Sequence, residues 1–352
     1  MAATPPGLTV TVKTKLEKIE GRKLTFSIIA DDGVDKISEG THERFISTLS
    51  NLTPRQKPKL KVLTIEGVGM SHIMEIMGKT RVVVKDGEVI EVGESELEWC
   101  PLIAKLSGVQ KITYEEVKKN VESKIRDYGM FTAKRQLLGQ DTFVAFGASE
   151  IMMSGLRSGF LDVTVTACDG AGTTISNNPE LVQGIGGRMS GLVETEPIAD
   201  VINGIQKLGG TVLDTETASI DPIGGVKKAA ELGYKKIAVT TADSKTAKKL
   251  RELETELGLD LIVIAVHVTG VSKEEAQDLL DNSDLVTSCA SKHIRELANP
   301  IVQVAAAIPL FVITQKGKEF VIERAKDIKS PILITTTELP VVPKHKQPRE
   351  LK

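Results

Sequence analysis

Reactive side chains are scarce in this chain of 352 residues, which holds three cysteines and five histidines. From residue 70 onward, most of them stand just behind short, apolar, β-branched runs. Cys168-Asp169-Gly170-Ala171-Gly172-Thr173-Thr174 follows LDVTVTA, and Thr241-Ala242-Asp243-Ser244 follows KIAVT. His267-Val268-Thr269-Gly270 follows LIVIAV, Cys289-Ala290-Ser291-Lys292-His293 follows LVTS, and Thr314-Gln315 follows FVI. Two facing thiols can exchange a proton across a substrate carbon as acid and base. A thiolate with a nearby imidazole can act as a nucleophile. Cys168 and Cys289 are the candidate thiols, with Asp169 and His267 as proton carriers. Gly170, Gly172 and Gly186 allow close backbone approach and offer N–H donors to an anion. Thr173, Thr241, Thr269, Lys292 and Arg188 are the remaining candidate contacts, Arg188 as a partner for carboxylate or phosphate.

The same residues admit other readings. Cys100, Cys168 and Cys289 could converge on a metal or an iron–sulfur cluster, although the close C-x₂-C spacing of such sites is missing. His267 could be a satisfied core histidine and Cys289 an inert buried thiol. Cys100, before Pro101, reads most simply as structural. The segment Gln183 to Arg188 resembles half a dinucleotide fingerprint without its full spacing and reads as a glycine-rich loop. Enzyme, metal protein and non-catalytic binding or assembly factor all stay open on the residues alone.

The elements that must hold these residues follow from periodicity. Strands are expected at 142–146, 161–167, 211–214, 236–241, 260–266, 284–288, 309–314 and 331–335. Helices are expected between most of them, at 148–158, 195–208, 223–233, 243–257, 272–282, 291–299 and 317–328. Gly159, Gly209, Gly233 and Gly258 stand where left-handed caps end helices. The alternation predicts an α/β fold, a mostly parallel sheet with helices on its faces. Such sheets bind ligands at the carboxyl ends of their strands, which is where the reactive residues fall. Upstream, Met77 to Glu94 reads as a hairpin around Lys85-Asp86-Gly87. Tyr114 to Gly129 reads as a helix capped by Thr113, with Glu116 completing a capping box. Residues 7–46 alternate as three half-buried antiparallel strands with turns at Glu20-Gly21-Arg22 and Asp31-Asp32-Gly33. The polar, basic, proline-containing stretch from 50 reads as a linker. The expected organisation is 1–49, linker 50–69 and α/β domain 70–352.

Composition excludes several classes. A net charge of -2 gives no basic field for nucleic acid, and 3% aromatic content gives no stacking platform. No apolar run is long enough for a membrane span. Sparse unpaired cysteines and no signal peptide point to a reducing cytoplasm. A small molecule or a partner enzyme is the expected partner, and a homo-oligomer is compatible with all of this.

Five blocks carry a resemblance: Phe146-Gly147-Ala148-Ser149-Glu150, CDGAGTT (168–174), NPELVQGIGGRMSGLVET (178–195), AVHVTG (265–270) and CASK (289–292). With Met77-Gly78-Lys79-Thr80-Arg81, they make the region to about Lys329 similar to the archaeal family called methanogenesis marker protein 8. The resemblance implies a role in methanogenesis or related C1 metabolism, or in assembling a methanogenic enzyme. It implies no mechanism, so no site residue is carried over from it. Residues 3–46 resemble the C-terminal half of a hotdog-fold thioesterase of the fluoroacetyl-CoA type. That family's catalytic Thr, Glu and His precede the matching stretch, so the resemblance implies no thioesterase activity here. The junction reads as two adjacent reading frames joined, with Met70, Met74 and Met77 as natural starts of the second. An intact mass beginning near Met70 is the expected native product.

Overall fold

The computed structural model describes residues 11–20, 23–31, 36–45, 71–142, 144–349 and 351. The chain divides into two compact units, Met1–Gly67 and Val68–Lys352.

In the first unit, β1 (Thr11–Glu20), β2 (Lys23–Asp31) and β3 (Lys36–Phe45) form an antiparallel sheet in that order. Thr11 lies opposite Asp31 and Lys23 opposite Phe45, with a bulge between Leu16 and Lys18. The resemblance implies late hotdog strands without the family's central helix. No helix occurs among the described residues of this unit, so the antiparallel sheet is what is shown. The linker at 50–69 and the turns at Gly21-Arg22 and Asp32-Gly33 lie outside the described residues.

The second unit opens with β4 (Ser71–Ile76), β5 (Thr80–Lys85) and β6 (Glu88–Val92). The β5–β6 hairpin turns at Asp86-Gly87, both with positive φ, as expected. Helix α1 (Pro101–Ser107) was not anticipated. In α2 (Tyr114–Tyr128) the Thr113 side chain accepts the Glu116 N–H. Then come α3 (Ala148–Ser158), β7 (Val163–Cys168), β8 (Gly172–Ser176), α4 (Pro179–Gly186) and β9 (Gly191–Glu194). They are followed by α5 (Ala199–Lys207), β10 (Thr211–Val212), α6 (Pro222–Glu231), β11 (Lys236–Thr241) and α7 (Ser244–Leu257). The unit continues with β12 (Asp260–Ala265), α8 (Lys273–Asn282), β13 (Leu285–Thr287), α9 (Lys292–Leu297), β14 (Val302–Val304), β15 (Leu310–Val312) and α10 (Gln315–Asp327). The predicted left-handed caps at Gly159, Gly209, Gly233 and Gly258 all have positive φ.

The large sheet runs β10-β8-β7-β11-β12-β13-β15-β14. Strands β7, β11, β12 and β13 are mutually parallel, while β8, β10, β14 and β15 join antiparallel. The sheet is therefore mixed, with a parallel centre, which corrects the mostly parallel expectation. The reason lies in CDGAGTT. Its Asp-Gly-Ala turn closes a hairpin that pairs Cys168 with Gly172 and sends β8 back along β7. Alternation along the central strands feeds two cores. Ile237, Val239, Leu261 and Val263 meet Val226, Leu250 and Leu279 on one face. Ala238, Ile262 and Ile264 meet Ile151, Val182 and Phe320 on the other. Each Val, Leu, Ile or Phe side chain among them, taken fully out of water, contributes about 1.5–3 kcal/mol.

A second sheet, β6-β5-β4-β9, recruits β9 from beyond α4. It packs Met74, Val82 and Val84 against Val117 and Val121 of α2. The strand expected at 142–146 is a turn where it is described. The one expected at 331–335 is not a strand and pairs with no described strand.

Candidate functional site

The carboxyl ends of the parallel strands open into a cavity of about 340 Å³, near the lower limit of the roughly 300–1,000 Å³ usual for small-molecule sites. Strand β7 contributes Thr166 and Ala167, β11 contributes Thr240 and Thr241, and β12 leads into Val266 and His267. Cys289 enters from the turn after β13. The start of α3 (Ala148, Ser149), the end of α4 (Gly186) and the segment Met189 to Leu192 close the other side.

His267 and Cys289 are the ionisable side chains of this wall. Both sit in the left-handed region, with φ of 59° and 38°. Such backbone costs on the order of 1–3 kcal/mol per residue and concentrates at functional sites. His267 Nε2 lies 2.7 Å from Glu75 Oε2. Glu75 stands on β4, so one hydrogen bond ties the small sheet to the end of β12. The bond to His267 holds the Glu75 carboxyl below its ordinary value, against a smaller opposing effect of burial. The imidazole lies directly against Gly191 on β9. A Cβ built there would be 2.3 Å from His267 Nε2, so glycine is what lets the ring reach Glu75.

Cys289 is half-buried. Burial pushes its thiol up, while backbone hydrogen bonds from Val268 and His267 favour the thiolate. Its carbonyl accepts from Arg295 Nη2, which also donates to Ala307 O at 3.2 Å and so anchors the loop. Burial lowers Arg295 to about 10.

The structure gives the other expected residues different surroundings. Cys168 ends β7 but is fully buried among Leu181, Ile185 and Ile198, and burial drives its thiol far up. Asp169 is also fully buried. Its Oδ1 accepts from Arg135 Nε at 2.8 Å and its Oδ2 from the Phe131 N–H at 2.6 Å. Gly170 donates its N–H to Thr195 Oγ1. Gly172, with φ of 66°, packs so closely that a Cβ would meet Ala218 O at 2.1 Å. Thr173 and Thr241 line the cavity, but their hydroxyls already accept from Asp221 N–H and Asp243 N–H. Thr269 is buried and accepts from Ala290 N–H. Arg188 is buried over the Tyr128 ring. Lys292 is exposed, 4.0 Å from Glu296. Cys100 is buried in the core of the small sheet, its thiol raised by burial.

The cysteines thus lie in different cores or walls. No three His, Cys, Asp or Glu side chains converge as metal ligands would, among the described residues. The glycine-rich segment read as a loop is the C-terminal turn of α4. Asn178 caps this helix through Glu180 and Leu181 N–H, and Pro179 occupies its first position.

Glu75, Gly191, Ser149 and Thr240 belong to the site and were not anticipated. Glu75 is the one carboxylate of SHIMEI, a signal that marks the residue but not the strand-end cavity it serves. A larger cleft of about 600 Å³ lies over the small sheet. Its ionisable side chains are Glu94, Glu96, Glu98 and Tyr114, with no thiol or imidazole.

His72, on β4, is fully buried against Phe131 and Thr195. Burial lowers its pKa below 6.5. The unfolded chain therefore binds the His72 proton more readily than the folded one. Its contribution is complete above pH 6.5 and is lost as pH falls through the lower folded value. Urea unfolding at pH 7.5 and 5.5 should show the native protein less stable at 5.5, and His72→Asn should flatten that difference.

No helix among the described residues is long and apolar enough to cross a membrane. The family model described as an uncharacterized protein conserved in archaea (DUF2099) matches residues 72–326. An uncharacterized protein of Methanocaldococcus jannaschii is 45% identical over 282 residues, covering 80% of this chain and 99% of that protein. The model of the fluoroacetyl-CoA-specific thioesterase matches residues 1–49. The fluoroacetyl-CoA thioesterase of Streptantibioticus cattleyicolor is 50% identical over 58 residues, 16% of this chain and 42% of that protein. No solved structure matches. The match from 72 to 326 takes in both sheets and every residue of the cavity wall, and on it the chain belongs to the DUF2099 family of proteins conserved in archaea.

Proposed function

We propose that the second unit is an enzyme acting on a small, uncharged molecule held at the carboxyl ends of the parallel strands. The observation that carries this reading is the composition of the cavity wall. His267 and Cys289 are its ionisable groups, and Glu75 holds His267 from behind. A wall without fixed charge, mostly apolar with a minority of hydroxyls (Met152, Met189, Ile220 against Thr166, Thr240, Ser149), suits a neutral ligand. Donation of the Nε2 proton to Glu75 leaves Nδ1 as the basic nitrogen. The Cys289 sulfur adds to a doubly bonded electrophilic carbon of the substrate as its proton passes to His267; the π bond breaks, its electron pair moves to the neighbouring heteroatom, and His267 returns the proton there. The free thiols suit a reducing cytoplasm.

The resemblance to methanogenesis marker protein 8, together with the relative in Methanocaldococcus jannaschii, supports a place in methanogenic or related one-carbon metabolism. We read the N-terminal sheet as the late strands of a hotdog thioesterase without its catalytic set, and expect no acyl-CoA hydrolysis from it.

Complementation of an archaeal strain lacking the gene tests the reading. Cys289→Ala and His267→Asn should fail to restore the phenotype, while Cys168→Ser, in the core beyond the cavity wall, should restore it. Full complementation by Cys289→Ala would overturn the thiol mechanism and favour a non-catalytic assembly factor.

A further inference from the structure

The cavity at the strand ends has a long axis, which the strand register gives. Thr173 on β8 lies opposite Ala167 on β7. Thr241 on β11 lies opposite Ala265 on β12, whose chain runs on into Val266 and His267. Cys289 follows β13, which pairs with β12 on its far side. The lining therefore crosses the ends of five neighbouring strands, β8-β7-β11-β12-β13. Strand axes lie about 4.8 Å apart, so this row reaches roughly 19 Å, twice the width of about 9 Å that a round cavity of about 340 Å³ would have. The site is a trough with Cys289 and His267 at one end.

The other end lies over β8. Thr173 donates its N–H to Ser219 O at 2.9 Å, and its Oγ1 accepts the Asp221 N–H at 2.7 Å. These two bonds seat Ile220 beside β8, where Ile220, Pro222 and Val165 form the wall. Three more lining hydroxyls are, like Thr173, already engaged within the protein. Thr166 Oγ1 meets Thr174 Oγ1 at 3.2 Å, Thr241 Oγ1 donates to Asp243 O at 3.3 Å, and Ser149 donates to Glu150 Oε2 at 3.0 Å. A wall paired in this way offers a ligand mainly apolar contact, and a polar group laid along it would lose water without gaining a partner.

Resting on Cys289 as the reactive thiol, we propose that the substrate is an elongated neutral molecule. Its electrophilic carbon lies at Cys289, and an unbranched apolar chain crosses the strand ends to Ile220 and Pro222. Ile220 meets the tip of that chain.

N-alkyl iodoacetamides from methyl to octyl, applied to the folded full chain, test the proposal. In each, the Cys289 sulfur bonds to the methylene carbon, iodide leaves, and the thiol proton passes to the buffer. The rate at Cys289, read by peptide mass spectrometry, should rise about fourfold per methylene, the factor that about 0.8 kcal/mol per buried CH₂ gives. A free thiol should show no such rise. Ile220→Lys should cut the octyl-to-methyl rate ratio about tenfold or more, the effect of roughly two methylenes, with unchanged near-UV dichroism. N-octylacetamide, the unreactive counterpart, tests the trough without the thiol. Calorimetry should find it bound to the native chain and to Cys289→Ala but not to Ile220→Lys, and N-methylacetamide bound to none of them. A Cys289 inert to every reagent would overturn the thiol reading and the electrophile placed there. A reactive Cys289 with no rise along the series, or a native chain that does not bind N-octylacetamide, would overturn the apolar chain alone.

Discussion

Asp169→Asn is expected to lower the unfolding free energy by about 3–5 kcal/mol, the usual cost of leaving one buried charge without its partner. The side chains of Asp169 and Arg135 are both fully buried, 2.8 Å apart. Arg135 reaches onward to the carbonyls of Gln136, Gly184 and Ile185, and so holds the end of α4 that forms part of the cavity wall. Lys124 lies in the same field, lowered to about 8 by burial first and by Arg135 and Arg188 in addition. Asparagine keeps the shape and an acceptor but removes the compensating charge. A domain has only about 5–15 kcal/mol to lose, so a large fall in urea midpoint should follow, with an unchanged slope. The double variant R135M D169L should recover part of the loss, since an ion pair removed whole leaves no orphan charge. A D169N variant within about 0.5 kcal/mol of the native protein would show that the pair is not carrying opposite charges.

The second large effect falls on the site. Gly191→Ala places a methyl group where the His267 ring lies, with ring atoms at 2.3, 2.4 and 2.6 Å. The ring must leave, and its bond to Glu75 breaks. Overpacking of this kind costs about 1–3 kcal/mol. Loss of an oriented general base costs about 10²–10⁴-fold in rate. The signature is non-additivity. His267→Ala removes the ring that the methyl group strikes, so G191A H267A should be markedly more stable than the sum of the single changes allows. Thermal unfolding of the four proteins measures this without knowledge of the substrate. Additive effects would mean that Gly191 is needed for something other than His267.

How far the site could be read from sequence differs between its parts. The strand-end rule led to His267, Cys289 and Thr241, because β11, β12 and β13 are parallel, buried and apolar, and their ends have fixed addresses. The same rule misplaced Cys168 and Asp169. Nothing in LDVTVTACDGAG distinguishes a ligand loop from a hairpin turn, and the turn pulls both residues into the core. The polar run Gly172 to Ser176 is a fully buried strand, which composition alone argues against. Helix α4 was hidden by Gly184 and Gly186. They stand in a helix because Leu137 O and the Ser149 side chain leave no room for a Cβ, a tertiary reason that outweighs propensity. Glu75 needed knowledge of the long-range β4–β9 pairing, which brings Glu75 opposite Gly191.

The central claim is that Cys289, beside the Glu75-held His267, is the reactive thiol of a cavity without fixed charge. The most direct test is to treat the folded full chain with iodoacetamide and with iodoacetate and map the alkylated cysteines by peptide mass spectrometry. The account predicts modification at Cys289 with Cys100 and Cys168 spared, faster reaction with the neutral reagent than with the anionic one relative to a free thiol control, and slower reaction in Glu75→Gln and His267→Asn. Labelling of Cys168 or Cys100 at a rate equal to that of Cys289, or an inert Cys289, would contradict it.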